Sequence, residues 1–377
     1  MNKTSKLLTV LTLGSFLCSA TVEACTNFVL KGSPQSGAVA SARTVDFNIP
    51  INPKLLSIPR GLTWTSRGDA SQNAGATWIN RYGFIAVGAS NEKNLFLDGI
   101  NEGGLSAAIL WLDEAVYMPR QGSNDVSTFD LVSYILGQYT TVAQAKAALR
   151  TINVYGNRLP EYNNIEVPLH LVVADANGDS FVAEWIGGIL KIYDASNTSG
   201  YVDVLANSPP YEQQLANLAT YSQLSCYNTS QYSLTGLPGN SQSMSRFVRA
   251  AKLKQCGEHF GGNPDMPFLV NSESEAVQRA AVILGRVDKP EGEVVTESDY
   301  SNTLSFTRIS LIRFHGKVDR RGRPTSKLYF YTPDNRALRL IDLAKVDFRS
   351  RRGIKSFLVE SPRYLKAQPA ITAPARR

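Results

Sequence analysis

The segment from residue 25 to residue 47 reads CTNFVLKGSPQSGAVASARTVDF, and the fold is best approached from it. It contains two runs of strand character, 26–31 and 38–47, separated by the turn signal Ser33-Pro34. Arg43 and Asp46 are three residues apart, so in a regular strand their side chains point to opposite faces. Either the second strand ends or bulges near Asp46, or only one of the two side chains reaches Cys25.

The residues before this segment have the layout of a secretory signal peptide. Residues 1–6 are basic, residues 7–17 are apolar, and small residues lead to Ala24. We therefore expect a signal peptide of residues 1–24, a chain that begins at Cys25 after cleavage, and a periplasmic or secreted protein. One alternative is a surface lipoprotein anchored through Cys25, although Glu23 fits a lipidation box poorly. Another is a cut elsewhere, such as after Ala20, which leaves Cys25 an ordinary structural thiol.

An N-terminal cysteine carries a thiol and an α-amino group that can act as the base for that thiol. Their reference pKa values are about 8.5 and about 7.7–8.0, so the amine can take the thiol proton near neutral pH and later protonate a leaving amine. No histidine is needed, and His170 in the apolar run PLHLVVAD is interpreted as a core or strand residue. A nearby cation lowers the pKa of a thiol. Arg43 and Asp46 are the nearest charged candidates, although pattern alone favours exposed charges.

Composition excludes several other classes. The chain is 43% hydrophobic and 19% charged, as expected of a globular protein, and no apolar run reaches the roughly 20 residues of an integral membrane segment. Four Cys and three His without metal-ligand spacing predict no metal site, and we expect no cofactor. The net charge of +7 comes from residues 345–377, where nine Lys and Arg face two Asp and Glu. A neutral body with a basic tail argues against a nucleic-acid partner.

The hydrophobic pattern predicts alternating blocks of strands and helices. Further strands are expected at Leu55–Thr65, Trp78–Ser90, Ser106–Leu112, Leu169–Asp175, Ser180–Trp185, Ile189–Asp194, Val202–Ala206, Thr307–Phe314, Lys327–Thr332 and Ala337–Asp342. Helices are expected at Phe129–Gln138, Thr141–Leu149, Tyr211–Tyr221, Ser245–Gln255 and Ser274–Leu284, with Thr141 as an N-cap and Asp98–Gly104 as a glycine-rich turn. Such blocks favour an α+β domain of packed sheets with helices outside. We place this domain at residues 25–344 and a basic, mostly irregular tail at 345–377.

Five segments in this order resemble the choloylglycine hydrolase and penicillin V acylase family. They are Cys25-Thr26-x-Phe28, Ala42-Arg43-Thr44-Val45-Asp46-Phe47, DGINEGGL at 98–105, LANSP at 205–209, and GLPG at 236–239 followed by SRF at 245–247. The resemblance runs from Cys25 to roughly Asp342. It implies a four-layer αββα sandwich of the N-terminal nucleophile hydrolase type, and cleavage of a linear amide through an acyl-enzyme on Cys25.

The resemblance also implies roles for individual residues. Arg43 would lie beside the thiol and Asp46 would hold the α-amino group. Asn207 would donate its side-chain amide to the oxyanion, and Arg246 would steady the charged groups around the nucleophile. Without the resemblance, Asn207 would be read as a turn residue before Ser-Pro and Arg246 as an exposed helix charge.

One position departs from the bile-salt-hydrolase branch. After Ala-Ile-Leu that branch carries a second oxyanion-associated Asn, whereas this chain has Trp111, so a backbone N–H would have to serve there. Trp111 and Phe47 offer an apolar wall for a phenoxyacetyl or fatty acyl group, with a core aromatic as the alternative reading of Phe47. The implied substrates are penicillin V and long-chain N-acyl homoserine lactones, ahead of conjugated bile salts. An amidase for acyl-ethanolamines or an acyl transferase is a further alternative.

The segment between Asn207 and Arg246 is shorter than in the bile-salt branch, where it holds an assembly hairpin. A tetramer of that type is therefore not expected, and a homo-oligomer of another kind is left open. In an oxidising compartment Cys226 and Cys256 could pair, which would leave Cys25 as the odd thiol.

Overall fold

The computed structural model describes eleven stretches of the chain. They are residues 25–32, 35–48, 53–67, 75–89, 95–159, 164–224, 234–257, 270–298, 301–350, 353–357 and 359. The strands are β1 Thr26–Lys31, β2 Val39–Phe47, β3 Lys54–Ile58, β4 Thr63–Thr65, β5 Thr77–Ile79, β6 Phe84–Gly88, β7 Phe96–Asn101, β8 Ser106–Trp111, β9 Val126–Ser127, β10 Val154–Tyr155, β11 Leu169–Ala174, β12 Ser180–Ile186, β13 Ile189–Tyr193, β14 Val204–Ala206, β15 Val294–Ser298, β16 Ser301–Phe314, β17 Lys327–Thr332, β18 Asn335–Asp342 and β19 Lys355–Phe357. The helices are α1 Leu131–Gln138, α2 Val142–Leu149, α3 Tyr211–Ala219, α4 Ser243–Gly257 and α5 Glu273–Val287.

Two large antiparallel sheets form the centre of the molecule. The first sheet has the order β14-β1-β2-β16-β17-β18, with β15 paired to β16. The second sheet has the order β13-β12-β11-β8-β7-β6-β3-β19. Strands β4 and β5 form a separate antiparallel pair, and β9 and β10 form a short parallel one.

Helices cover both sheets and give four layers. Helices α4 and α5 pack on β1, β2, β14 and β16 of the first sheet, while α1 and α2 pack on β7, β8, β11 and β12 of the second. Amphipathic helices need such a surface because packing of the apolar face supplies most of their stability. Helix α2 begins as expected at Thr141, whose side chain accepts from the Gln144 amide in a capping box. The structure is thus a four-layer αββα sandwich, as expected.

The two halves of the first sheet meet at β2 and β16, where the register shifts. Thr307 lies opposite Asp46 and Ile309 lies opposite Val45, so Arg308 is the extra residue of a bulge. The second strand ends near Asp46, at Phe47, as one of the expected alternatives had it, whereas the bulge lies on the partner strand β16 and was not expected. The bulge increases the local twist of the sheet opposite Asp46. In this part of β2, regular alternation would place the side chains of Arg43 and Asp46 on opposite faces.

Most predicted elements are found, and the differences arise where packing overrides local pattern. The stretch Leu55–Thr65 divides into β3 and β4 at a turn in which Gly61 has a φ of 72°. Trp78–Ser90 similarly divides into β5 and β6.

The prediction of a glycine-rich turn at Asp98–Gly104 was wrong for the first half of this stretch, because Asp98–Asn101 belongs to the buried strand β7. A Cβ at Gly99 would lie 2.6 Å from the carbonyl oxygen of Ile85 in β6. Glycine therefore permits a close strand contact there.

The basic C-terminal segment contributes to the body of the protein. Strand β19 pairs with β3 at the edge of the second sheet, and Phe348 and Val359 are buried in the main apolar core. Residues 360–377 lie outside the described part of the chain. Within that described part, no helix has the length and apolar character to cross a membrane.

Candidate active site

Cys25 lies at the start of β1, between β14 and β2, and its side chain is buried. Its Sγ is 3.3 Å from Nη2 of Arg43 and 3.9 Å from the main-chain oxygen of Asp46. Its backbone nitrogen donates to Oδ1 of Asn207. Three of the residues expected around the thiol are therefore brought together at Cys25.

Arg43 extends from the first sheet toward the second. Its Nη2 also donates to the carbonyl oxygen of Ile109, at 2.6 Å, and its Nη1 donates to the carbonyl oxygen of Leu97. Nη1 lies 3.5 Å from Oδ2 of Asp98. The guanidinium is buried and held at both nitrogens, so it presents a fixed positive charge to Cys25.

Asp46 is buried beside the nucleophile and its carboxylate has three partners. Oδ1 accepts from the hydroxyl of Thr307 at 2.6 Å, Oδ2 accepts from the hydroxyl of Thr44 at 3.2 Å, and Nη1 of Arg246 is 3.9 Å away. Burial raises the pKa of Asp46 to about 6, against the opposing effects of Arg246 and the Thr307 hydrogen bond. The carboxylate is therefore charged only above weakly acidic pH.

Arg246 is on α4 and is fully buried, not the exposed helix charge of its pattern-based reading. Its Nη1 donates to the carbonyl oxygen of Cys25 at 2.7 Å and to the hydroxyl of Thr26. Its Nε donates to the carbonyl oxygen of Ser241 at 2.9 Å. Arg246 thus joins the backbone of Cys25 to the Asp46 carboxylate.

Asn207 follows β14 and links two backbone groups. Its Oδ1 accepts from the Cys25 nitrogen, and its Nδ2 donates to the carbonyl oxygen of Trp111 at 3.0 Å. Gln214 of α3, which the sequence reading did not single out, fixes this segment. Its side chain accepts from the Ala206 amide at 3.1 Å and donates to the carbonyl oxygens of Asn207 and Pro209 at 2.7 and 2.6 Å.

Trp111 and Phe47 both pack against the larger apolar core. The side chain of Trp111 is 4% exposed, and its indole N–H donates to Oδ1 of Asp113 at 2.6 Å. Phe47 is half-buried at the end of β2. Trp111 contacts the site through its main-chain carbonyl at Asn207, while a role for either ring in binding substrate stays a prediction.

Burial and the charge of Arg43 have opposite effects on the pKa of the Cys25 thiol. Burial, the largest influence, raises its pKa, and the charge of Asp46 adds to this. The charge and hydrogen bond of Arg43 lower it. Arg43 is therefore the group that offsets the cost of forming a thiolate inside the protein.

Two histidines are described, and both lie within the core. His170 on β11 is fully buried with Nδ1 3.0 Å from Oε1 of Glu184, which confirms its reading as a core strand residue. His315 is 2.7 Å from the hydroxyl of Ser41, and burial lowers its pKa to about 3. Neither makes a recorded hydrogen bond to Cys25 among the described residues.

Several expectations fall on residues that the structure does not describe. They concern the signal peptide 1–24, the turn Ser33-Pro34, Cys226 and the side chain of Cys256. The pairing of Cys226 with Cys256 therefore stays a prediction. Among the described residues, no three His, Cys, Asp or Glu side chains are grouped so that they could hold a metal ion.

The chain is similar in sequence to known proteins. The family of linear amide C–N hydrolases called the choloylglycine hydrolase family has a sequence model that matches residues 25–352. Penicillin V acylase of Pectobacterium atrosepticum is 25% identical over 92% of this chain and 87% of its own. A bile salt hydrolase/transferase of Lactiplantibacillus plantarum is 30% identical over 70% of this chain and 79% of its own.

The fold has a counterpart among solved structures as well. The structure of penicillin V acylase from Agrobacterium tumefaciens matches with a TM-score of 0.67 and 26% sequence identity. The match covers 88% of this chain and 90% of that one. The similarity therefore includes both sheets and the helices outside them.

Proposed function

Since the chain belongs to the choloylglycine hydrolase family of linear amide C–N hydrolases, we propose that Cys25 is the nucleophile with which it cleaves N-acyl compounds. The observation that carries this proposal is the contact of 3.3 Å between Cys25 Sγ and Arg43 Nη2 in a buried site. A fixed cation at this distance favours thiolate, which is the nucleophilic form.

We further propose that residues 1–24 are removed during export to the periplasm or the exterior, so that Cys25 gains a free α-amino group. Two observations support this. The residues before Cys25 have the layout of a signal peptide, and the family match begins at residue 25. A peptide nitrogen is not basic, whereas a free α-amino group has a reference pKa of about 7.7–8.0 and can accept the thiol proton.

The proposed reaction has two stages. The amine takes the proton of Cys25, and the thiolate sulfur attacks the amide carbonyl to form a tetrahedral oxyanion. The C–N bond then breaks, the leaving amine takes the proton, and an acyl-enzyme remains. Water attacks the thioester with the α-amino group as base, which releases the carboxylic acid and restores the thiol. No histidine takes part.

Asn207 is the proposed donor to the oxyanion. Its Nδ2 carries two hydrogens, of which one is directed to the Trp111 carbonyl at 3.0 Å. The second can meet an oxygen that develops next to Cys25 Sγ, where a preorganised donor stabilises the transition state. Trp111 has no amide in its side chain, so a second donor in this region has to be a backbone N–H.

Asp46 and Arg246 have the proposed role of orienting the N-terminal residue. Arg246 holds the Cys25 carbonyl at 2.7 Å and lies 3.9 Å from the Asp46 carboxylate. The single hydrogen of the Cys25 peptide nitrogen is directed to Asn207. A free amine carries additional hydrogens, and these are available to Asp46 once residues 1–24 are removed.

We propose acyl groups with an extended apolar or aromatic part as the substrates. Penicillin V and long-chain N-acyl homoserine lactones are the first candidates, and conjugated bile salts are the second. The aromatic residues Trp111, whose carbonyl accepts from Asn207, and Phe47, which follows Asp46, support the first group, and two penicillin V acylases are among the proteins to which the chain is similar. The bile salt hydrolase relative supports the second.

The test is a substrate panel with protein exported from a bacterial host. We expect release of acid from penicillin V and from a long-chain N-acyl homoserine lactone, more slowly from glycine- or taurine-conjugated bile salts. The matched control is Cys25→Ala, which keeps the fold and removes the thiol. Amide hydrolysis that persists in this variant would place the nucleophile elsewhere, and bile salts as the best substrate would overturn the proposed preference.

A further inference from the structure

A buried ion pair lies behind Arg43, on the side away from Cys25. Nη1 of Arg313 on β16 is 2.7 and 2.9 Å from the two carboxylate oxygens of Asp98 on β7. Both side chains are almost completely inaccessible, and they join the first sheet to the second. Neither residue was expected to be part of the site from the sequence.

The pair is connected to the nucleophile by direct contacts. Oδ2 of Asp98 is 3.5 Å from Nη1 of Arg43, whose Nη2 is 3.3 Å from Cys25 Sγ. Arg313 also donates through Nη2 to Oδ1 of Asn27, two residues after Cys25. Asp98 is thus shared by two arginines, of which only Arg43 touches the thiol.

The buried charges around Cys25 do not balance while its thiol is neutral. The fully buried charged groups that form ion pairs with one another around Cys25 are three arginines and two aspartates, namely Arg43, Arg246, Arg313, Asp46 and Asp98. The set therefore carries one excess positive charge when all five are ionised. An isolated buried charge is costly, so a negative charge on Cys25 Sγ is favoured because it completes the set.

The other charged side chains that act on this set occur as one cation and one anion each, while the α-amino group of processed Cys25 adds a positive charge whenever it is protonated. The charges of Asp288 and Lys289, which have opposite signs, act on Asp46. The charges of Arg249 and Glu293, also of opposite sign, act on Arg246. His315 follows β16, and burial, together with the charge of Arg313, lowers its pKa to about 3, so it is neutral near pH 7. Among the side chains, the excess charge therefore belongs to the five ion-paired groups.

We propose that Arg313 and Asp98 are positioning residues that act on Cys25 through Arg43, Arg313 supplying the excess positive charge that favours the thiolate. Asp98 orients Arg43 and screens the charge of Arg313 from it. This inference rests on the proposed function of Cys25 and deepens it, because it assigns the stabilisation of the thiolate to a group of residues larger than Arg43 alone.

The charges predict opposite effects for two single variants. Arg313→Met removes the excess positive charge and leaves Asp98 to compete with Cys25 for Arg43, so thiolate formation moves to higher pH. Asp98→Asn increases the excess, and Arg43 stays in place through the carbonyls of Leu97 and Ile109. In this variant thiolate formation moves to lower pH.

The double variant Asp98→Asn/Arg313→Met is the matched control. It removes one charge of each sign, so the excess of one positive charge is unchanged. If the ion pair contributed only to packing, each single variant would disturb thiolate formation at Cys25, and the double variant would disturb it at least as much. If the pair acts through its charges, the pH at which the thiolate forms should instead return toward the wild-type value in the double variant.

The experiment measures the rate of alkylation by iodoacetamide as a function of pH, using the full processed protein. Peptide mapping by mass spectrometry locates the label on the peptide that contains Cys25 and separates it from Cys226 and Cys256. We expect the midpoint to rise by about one pH unit in Arg313→Met and to fall in Asp98→Asn. We expect the double variant to lie within a few tenths of a unit of wild type.

Shifts of the same sign in both single variants, or a double variant that behaves as Arg313→Met, would overturn the inference. If Arg313→Met does not fold, the comparison of Asp98→Asn with the double variant still decides it. The readout does not use substrate. A failure of Cys25 as the catalytic nucleophile, seen as activity in Cys25→Ala, is therefore distinguished from a failure of this inference.

Discussion

At the scale of single residues, burial raises the pKa of both acidic groups at the site and an arginine opposes it in each case. Arg43 acts on the Cys25 thiol, and Arg246 acts on the Asp46 carboxylate. Planar, permanently charged guanidinium groups suit this position because they keep their charge when buried and donate in fixed directions. The sequence motifs indicated these four residues, whereas their burial follows from long-range packing that no local pattern contains.

The raised pKa of Asp46 predicts a pH dependence of stability. The folded-state pKa of about 6 lies above the ordinary aspartate value, so between about pH 4 and 6 the folded protein binds more protons than the unfolded chain. This carboxyl therefore lowers the free energy of unfolding as pH rises through that window, by at most about 1.4 kcal/mol per pH unit.

The variant Asp46→Asn tests the predicted fall of the free energy of unfolding with rising pH, because an amide side chain does not titrate. Urea denaturation at several values of pH from 4 to 7 should give a free energy of unfolding that falls less steeply in the variant than in wild type. The difference between the two curves isolates Asp46 from the other carboxylates. Parallel curves would show that Asp46 titrates normally in the folded protein.

Trp111 provides a second prediction at this scale. If its ring forms part of the acyl pocket, Trp111→Ala should raise KM for penicillin V several-fold and leave the pH profile of kcat unchanged. Trp111→Phe keeps an apolar ring and is the matched control. A KM that is the same in Trp111→Ala and wild type would remove this side chain from the pocket, and its contact with Asp113 would then be its main role.

At the scale of elements, the segment after β14 depends on a single side chain of the next helix. Gln214 makes hydrogen bonds to the backbone of Ala206, Asn207 and Pro209, and it is fully buried. A long polar side chain in a helix is ordinarily interpreted as a surface residue, so no sequence pattern singled out Gln214. The contact becomes visible only when α3 and the β14 segment are placed side by side.

Gln214→Leu should lower the free energy of unfolding by about 2 kcal/mol, because buried backbone groups lose their partners. The segment that carries Asn207 then loses its fixed position, and we expect kcat to fall by about tenfold with a smaller change in KM. The exposed neighbour Gln213, changed to Leu, is the matched control and should leave both quantities unchanged. Steady-state kinetics and urea denaturation measure them.

Equal kcat in Gln214→Leu and wild type, together with lower stability, would assign Gln214 a structural role alone. A fall in KM and kcat by the same factor would also contradict the proposed positioning of Asn207.

Element boundaries show what the sequence pattern could and could not provide. Strand β1 and helix α2 were predictable because a short run of strand-forming residues before a turn and an N-cap residue are local signals. Strand β7 was not, since its Asp and Gly residues favour turns and only its two neighbours in the sheet make it a strand. A bulge was considered only for β2 itself, and the one at Arg308 of β16 was not predictable because it arises from the pairing of β16 with β2.

At the scale of the whole molecule, the αββα sandwich expected from the resemblance is confirmed by the sheets, the helices and the match to a solved penicillin V acylase structure. The site lies where the sheets face one another. Cys25, Arg43 and Arg313 come from the first sheet, and the Ile109 carbonyl and Asp98 come from the second. Stability of the sandwich and geometry of the site are therefore linked.

The C-terminal segment supplies a prediction at this scale. A stop codon at Gly353 removes β19 and the buried Val359, which exposes the edge strand β3 and part of the core. We expect this truncation to lower Tm by several degrees, with kcat little changed below the transition. A stop codon at Glu360 keeps β19 and Val359 and should have the wild-type Tm. Equal Tm in both truncations and wild type would show that β19 contributes nothing to stability.

The central claim is that a free α-amino group and the thiol of Cys25 act together. The measurement that tests it most directly is the intact mass of active, exported protein, combined with N-terminal sequencing. We predict a chain that begins at Cys25 and carries no modification. An active protein that retains residues before Cys25, or one whose Cys25 carries lipid, would contradict the account, because the proposed base would then be absent.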